Sequence, residues 1–268
     1  MTAHVLDKRR VAARFGRHAG TYEANALVQD EMADRLVAAL ARLALAPSSI
    51  LELGCGTGRL TERLAVAYPS ARLLAVDIAR PMVEAARARL AGRPRVEVRL
   101  ADAEALESAE RFDLVVSNAT IQWFAAPAAS LRRLAGLLAP GGAMAHATLG
   151  PATFVELLAA LGTPRERGGH GGPSLVLHPA RRWAAWLVEA GLADVEARRR
   201  LVRRDYESAR AFLAALRATG AAYAHEPRRA GRRLGEAMRR YDAAYRSPAG
   251  TYATFEVIEL YARAAGGC

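Results

Sequence analysis

The chain has 268 residues, 52% of them hydrophobic, enough for one sizeable core with additions. Two cysteines, Cys55 and Cys268, exclude a disulfide framework, and no apolar run is long enough to span a bilayer or to act as a secretory signal in the first seventeen residues, so a cytoplasmic protein is expected. The formal net charge is +11, with Lys8 the one lysine among 38 basic residues; that bias points to a GC-rich genome, the aromatic-plus-basic signature of nucleic-acid binding is missing, and acidic partners would be steered.

Taken in chain order, Leu27, Met32, Leu36, Val37, Leu40 and Leu43 keep helical spacing and predict a helix over 25–45, ended by Pro47. Ile50 to Leu53 read as a strand covered on both faces. Three alternating glycines follow, Gly54, Gly56 and Gly58, and then a helix over 59–67. Free N–H groups at a helix start beside a glycine turn make a nucleotide-type site. A second strand over 73–77 ends in Asp77, placed to accept hydrogen bonds from ribose hydroxyls. The dinucleotide fingerprint would need glycine at position 59, where Arg59 stands. Glu52, just ahead of the loop, would repel a phosphate and welcome an ammonium group. An acid at the glycines and another on the ribose suit a nucleoside that carries an amino acid, which is S-adenosylmethionine (SAM).

Past Asp77 the chain goes on alternating strand and helix up to Gly150. A helix over 152–161, a loop rich in Gly, Pro and Arg over 162–173, and a helix over 181–190 come next. The segment 195–206 alternates as a half-exposed strand does, 207–219 and 228–245 are helices too polar on one side to be core, and 251–262 suits a last strand. Of the six histidines none shows ligand spacing, so no metal is expected, and His146 reads as a satisfied core residue.

With Glu52-x-Gly54-x-Gly56-x-Gly58, Asp77, Asp102-Ala103 and Asn118 in this order, the chain resembles the class I SAM-dependent methyltransferases. The resemblance implies an α/β fold, a Rossmann-like seven-stranded sheet with helical lid insertions. It implies one domain with a core of about 25–150, 176–204 and 250–268 and a lid of about 1–24, 151–175 and 205–249. It also implies cofactor contacts at Tyr22, Glu52, Gly54, Gly56, Gly58, Asp77, Ile78, Asp102, Ala103 and Asn118.

The edges of the chain narrow the resemblance. Phe15-Gly16, Tyr22 and Gln29 near the amino terminus, Ser117-Asn118-Ala119-Thr120-Ile121-Gln122-Trp123, Arg217-Ala218-Thr219-Gly220-Ala221 and Thr254-Phe255-Glu256 are similar to the malonyl-acyl carrier protein O-methyltransferase family of biotin synthesis. Ala147 and Leu260-Tyr261 depart from that family's pattern. The family's substrate would be a malonyl group on acyl carrier protein or coenzyme A. Tyr22, Asn118, Trp123 and Arg217 would then position it, with Arg217 on the substrate carboxylate. Tyr22 as a plain helix end, Trp123 as packing and Arg217 as a solvated arginine are the competing readings. Methyl transfer to a carboxylate needs no general base, and no dyad or triad is visible. Another class I methyltransferase acting on a small acid or a quinone, and a non-catalytic SAM-binding partner, are the other functional classes considered. No membrane or nucleic-acid partner is implied, and the oligomeric state stays open, with a monomer compatible.

Overall fold

The computed structural model describes residues 6–43, 45–162, 175–221 and 231–265. Its sheet contains β1 (Ser49–Leu53), β2 (Arg72–Asp77), β3 (Val96–Leu100), β4 (Phe112–Asn118), β5 (Leu138–Leu149), β6 (Ala193–Tyr206), β7 (Arg246–Ser247) and β8 (Gly250–Arg263). The strand order is β3-β2-β1-β4-β5-β8-β6, with β7 hydrogen-bonded to β8 off this path. The first five strands are parallel and β8 inserts antiparallel between β5 and β6. The seven expected strands are therefore all present. The eighth, two residues long, closes a tight turn onto the start of β8.

Order reverses at β1: β2 and β3 lie to one side and β4 to the other. In an open α/β sheet that reversal leaves a crevice at the carboxyl ends of the strands. Ile50, Leu51 and Leu53 are fully buried, as a strand covered on both faces must be.

Helices α1 (Lys8–Arg17), α2 (Ala19–Asn25) and α3 (Leu27–Arg42) precede the sheet. The helix expected over 25–45 is thus broken at its start. Asn25 Nδ2 donates to the Thr21 carbonyl at 2.9 Å, closing α2, and Ala26 turns with ψ 39° before α3 begins. Within α3, Met32, Leu36 and Leu40 recur every four residues and bury one face. Helix α4 (Arg59–Ala67) matches its predicted bounds, and α5 (Arg80–Arg89) and α6 (Pro127–Ala135) complete the first half.

Helix α7 (Val155–Leu161) starts three residues later than expected, because Phe154 sits in the left-handed region with φ 58° and donates its N–H to the Thr254 carbonyl at 2.7 Å. Helices α8 (Ala180–Glu189), α9 (Ala209–Ala218) and α10 (Gly231–Ala244) follow. The loop expected over 162–173 lies, from 163 on, outside the described residues, as does the expected helix start at 228–230.

Two hydrophobic cores cover the two faces of the sheet. One joins α3 to Ile50, Leu114 and Val116, and extends to Phe154, Phe212 and Tyr241. The other packs Leu131 and Leu134 of α6 and Trp183 and Leu187 of α8 on Leu51, Val115 and Ile258. The polar-looking α9 and α10 therefore rest on the sheet by a buried aromatic stripe. Phe154 makes edge contacts with Phe212 at 5.1 Å and with Phe255 at 4.8 Å between ring centroids.

Gly250, with φ 128°, is needed where β8 begins. A Cβ there would lie 2.4 Å from the Glu207 carbonyl oxygen at the corner between β6 and α9. If α9 shares the core of the sheet, Phe212→Ala should cost about 3–5 kcal/mol of unfolding free energy. Urea denaturation checks this, and a loss below about 1 kcal/mol would show that α9 packs independently of the sheet.

Candidate functional site

The crevice at the β1, β2 and β4 tips is shaped by its glycines. Gly54 N and Cys55 N donate to the Val76 carbonyl at 2.7 and 3.0 Å, and Gly56 N donates to Asp77 Oδ2 at 2.9 Å. The loop is thus wrapped over the end of β2. Gly54 (φ 66°) has no room for a side chain, since a Cβ would fall 2.3 Å from the Thr120 side chain. Gly56 (φ 55°) has nothing within 4 Å of its missing Cβ and opens on the crevice. Gly58 acts differently: it lets α4 pack on α5, where a Cβ would sit 3.2 Å from Ala86 and Leu90, and it does not face the crevice.

The structure gathers Tyr22, Gly54, Gly56, Asp77, Ile78, Asp102, Ala103, Asn118 and Trp123 around one cavity, with Ala101, Met82 and Phe124 completing an apolar slot. Glu52 lies in an adjoining recess with Gly54, Gly56, Tyr22 and Asn118. Arg217 is not brought to the site. It is exposed on α9, while its neighbour Leu216 faces the second cavity described below.

The electrostatics suit a nucleoside bearing an ammonium group. Asp77 Oδ1 accepts from Ala79 N at 2.8 Å, and burial raises its carboxyl above the ordinary range despite these backbone bonds. Burial also pushes the Glu52 carboxyl up to about 8, with the nearby Asp77 charge adding to it. Among the described residues Glu52 Oε2 is buried without a partner, and so is Asn118 Oδ1, whose amide is oriented by donation from Nδ2 to the Gln29 carbonyl at 2.7 Å. Two orphaned acceptors beside one recess require a donor, and an α-ammonium supplies several. The residues present therefore fit SAM: the slot for adenine, Asp77 for ribose, and the Glu52 recess for the amino-acid end.

Sequence reasoning missed the wall contributed by α1. Val11 and Phe15 line the slot, and Lys8 reaches across it to Asp102 and Glu104, at 2.6 Å each. The signal was present: Val11 and Phe15 stand four apart on an otherwise basic helix and so share one face. Arg89 braces the other side, pairing with Glu23 of α2 and Glu62 of α4 and donating to the Thr57 carbonyl.

A second cavity of about 290 Å³ adjoins the first. Phe15, Tyr22, Ala119 and Trp123 line both. Phe15 packs edge-on against Trp123 at 5.3 Å and against Tyr22 at 6.3 Å, so this aromatic cluster is the partition between them. Burial raises the Tyr22 phenol to about 12, so it stays neutral. His146 shares a 2.9 Å hydrogen bond with Ser117, and burial lowers it to about 4. Its Nε2 is buried and unpartnered, so the expected core histidine is satisfied through one ring nitrogen only. No cluster with metal-ligand geometry occurs among the described residues.

Three consequences can be measured. Asp77→Ala should weaken SAM binding by about 1.5–3 kcal/mol, as a charge-assisted acceptor is lost; calorimetry showing unchanged affinity would remove Asp77 from the site. Glu52 holds its proton up to about pH 8 in the free protein and must release it to pair with an ammonium. SAM affinity should therefore rise with pH between about 6 and 8, until the ligand's own amino group, with a pKa of about 7.7–8.0, begins to lose its charge. Glu52→Gln should abolish that rise. The same raised pKa means that the native state binds more protons than the unfolded chain between pH 4.5 and about 8, so stability of the free protein should fall across that window.

Comparison with known proteins agrees with this geometry. A family profile described as a methyltransferase domain matches residues 50–142, from β1 into β5. The chain is 38% identical over 226 residues to the malonyl-[acyl-carrier protein] O-methyltransferase of Brevibacillus brevis, covering 80% of each chain. It is 32% identical over 226 residues to that of a Paenibacillus species, covering 79% of this chain and 81% of the relative. Among solved structures, the YcgJ protein of Bacillus superposes with a TM-score of 0.63 at 15% identity, over 87% of this chain and 100% of that one, a likeness of fold. A slot and recess built for SAM, on this fold and at these identities, place the chain in the malonyl-[acyl-carrier protein] O-methyltransferase family of SAM-dependent enzymes.

Proposed function

We propose that the enzyme methylates the free carboxylate of a malonyl thioester carried by acyl carrier protein, an early step of biotin synthesis, releasing the methyl ester and S-adenosylhomocysteine. The observation that carries this reading is the pair of cavities meeting at one aromatic partition, the cofactor slot on one side and a largely apolar chamber on the other. Bound SAM supplies an electrophilic methyl group on a sulfonium with a good leaving group. The protein's task is to hold an acceptor oxygen in line with it.

The acceptor needs no activation. A carboxylate is ionised at neutral pH. The groups nearby agree with that economy: Tyr22 is neutral, and His146 is neutral and buried against Ser117. Positioning can supply roughly 7–11 kcal/mol of barrier reduction. Phe15, Tyr22 and Trp123 keep the meeting point dry, which strengthens the electrostatic interactions there. A carboxylate is costly to hold in an apolar chamber, whereas its methyl ester is neutral. The reaction therefore turns a charged thioester into one that an acyl-chain pocket accepts.

Labelled SAM offered with malonyl-, succinyl- and acetyl-carrier protein tests the reading. Malonyl carrier should be labelled, and acetyl carrier, with no free carboxylate, should not. A malonyl carrier left unlabelled while a quinol or a small free acid is methylated would sink it. Malonyl-coenzyme A run in parallel shows whether the carrier itself is needed. With a net charge of +11 steering an acidic carrier, turnover at limiting carrier should fall as salt is added.

A further inference from the structure

The second cavity is apolar along most of its wall, with Leu27, Val28, Leu149, Phe154, Phe212 and Phe255 among the lining residues. Its charged end comes from β6. Among the described residues that line it, Arg204 is the one cation. The neighbouring Asp205 also borders the cavity, but it is exposed at the rim.

Arg204 does not stand alone. Arg200, Val202 and Arg204 share one face of β6 by the two-residue repeat, and Val202 is buried in the core. Both arginines converge on Glu31 of α3: Arg200 Nη1 lies 2.9 Å from Oε1, and Arg204 Nη2 pairs with Oε2. One carboxylate thus serves two guanidinium groups. The trio carries one formal positive charge more than it balances. A guanidinium cannot shed its proton to relieve this.

The hydrogen-bond inventory shows where the surplus points. Arg204 Nε, and Arg200 Nε and Nη2, are buried and have no acceptor among the described residues. Buried N–H groups left unpaired are rare and unfavourable, the more so when charged. A second carboxylate would match two guanidinium groups with two acids. The acyl substrate brings one.

We infer that Arg204, backed by Arg200 and shared with Glu31, is the residue that recognises the free carboxylate of the acyl substrate. This rests on the acceptor assigned above. The arrangement also meets a constraint of the chemistry, because a cation that gripped both oxygens would quench the nucleophile. On the Nε–Nη2 edge of Arg204, Nη2 is already paired with Glu31, so that edge has the one N–H of Nε to offer. One acceptor oxygen can be oriented by that N–H while the other stays free to attack.

Steady-state kinetics with malonyl-carrier protein, alongside calorimetry with SAM, tests the assignment. Arg204→Met keeps much of the apolar stem and removes the charge. It should raise KM for malonyl carrier at least tenfold and leave the Kd for SAM within twofold of wild type. Arg204→Lys restores a charge without the fork and should give an intermediate KM, which a merely structural role would not produce. It also carries the test if the methionine variant fails to fold. Wild-type KM in these variants would overturn the inference while leaving the proposed reaction intact. A wild-type enzyme that binds SAM and leaves malonyl carrier unmethylated would overturn both.

Discussion

The crevice depends on how closely the tips of β1 and β4 approach. At Gly54 the backbone passes so near Thr120 that no Cβ can stand between them. Thr120 in turn donates its hydroxyl to the Gly54 carbonyl at 3.2 Å, tying the two loops together. Everything in the site takes its place from this contact. Wrapped over β2, the glycine loop presents Gly56 to the slot, while the β4 loop turns at Ala119, whose φ of 53° is unusual for a residue with a side chain. Ala119 then reaches both cavities, and Asn118 just before it reaches the recess.

Around that junction the protein accumulates groups that are poorly satisfied by the protein itself. Glu52, Asn118 and the two arginines of β6 all keep buried polar atoms without partners. Native structures hold few such atoms; here Glu52 and Asn118 share the recess, and Arg204 lines the second cavity. The fold carries this cost through its two cores, between which β1 and β4 are covered on both faces.

Much of this was legible in the sequence, for identifiable reasons. β1 and β2 announce themselves as short apolar runs, whereas β3, with Glu97 and Arg99 in it, is legible only by its place among the motifs; α4 could be bounded because Gly58 ends the loop and Tyr68 follows the last helical residue. The acid-glycine-acid order located Glu52 and Asp77, since ligand contacts at strand tips are fixed by topology. Contacts that depend on tertiary packing were not legible. Arg217 was selected by resemblance, yet helix phase puts Leu216 on the cavity and leaves Arg217 exposed. Arg204 was hidden in a run of arginines that reads as a half-exposed strand, and its place on the cavity wall separates it from Arg200, which pairs with the same Glu31. The break at Ala26 was invisible for a similar reason: both flanking segments are good helix formers, and a side-chain bond from Asn25 decides the boundary.

The single lysine has one more implication. Lys8 is drawn into the ion pair with Asp102 and Glu104, so the cationic side chains elsewhere on the molecule are guanidinium groups. Unlike an ammonium surface, such a surface keeps its charge far into the alkaline range and has no amines for acetylation to neutralise. Its long-range field is therefore a constant of the protein, set by composition. Attraction toward an acidic partner can be tuned by ions in the medium, or by the partner's own charge, but scarcely by chemistry on this chain.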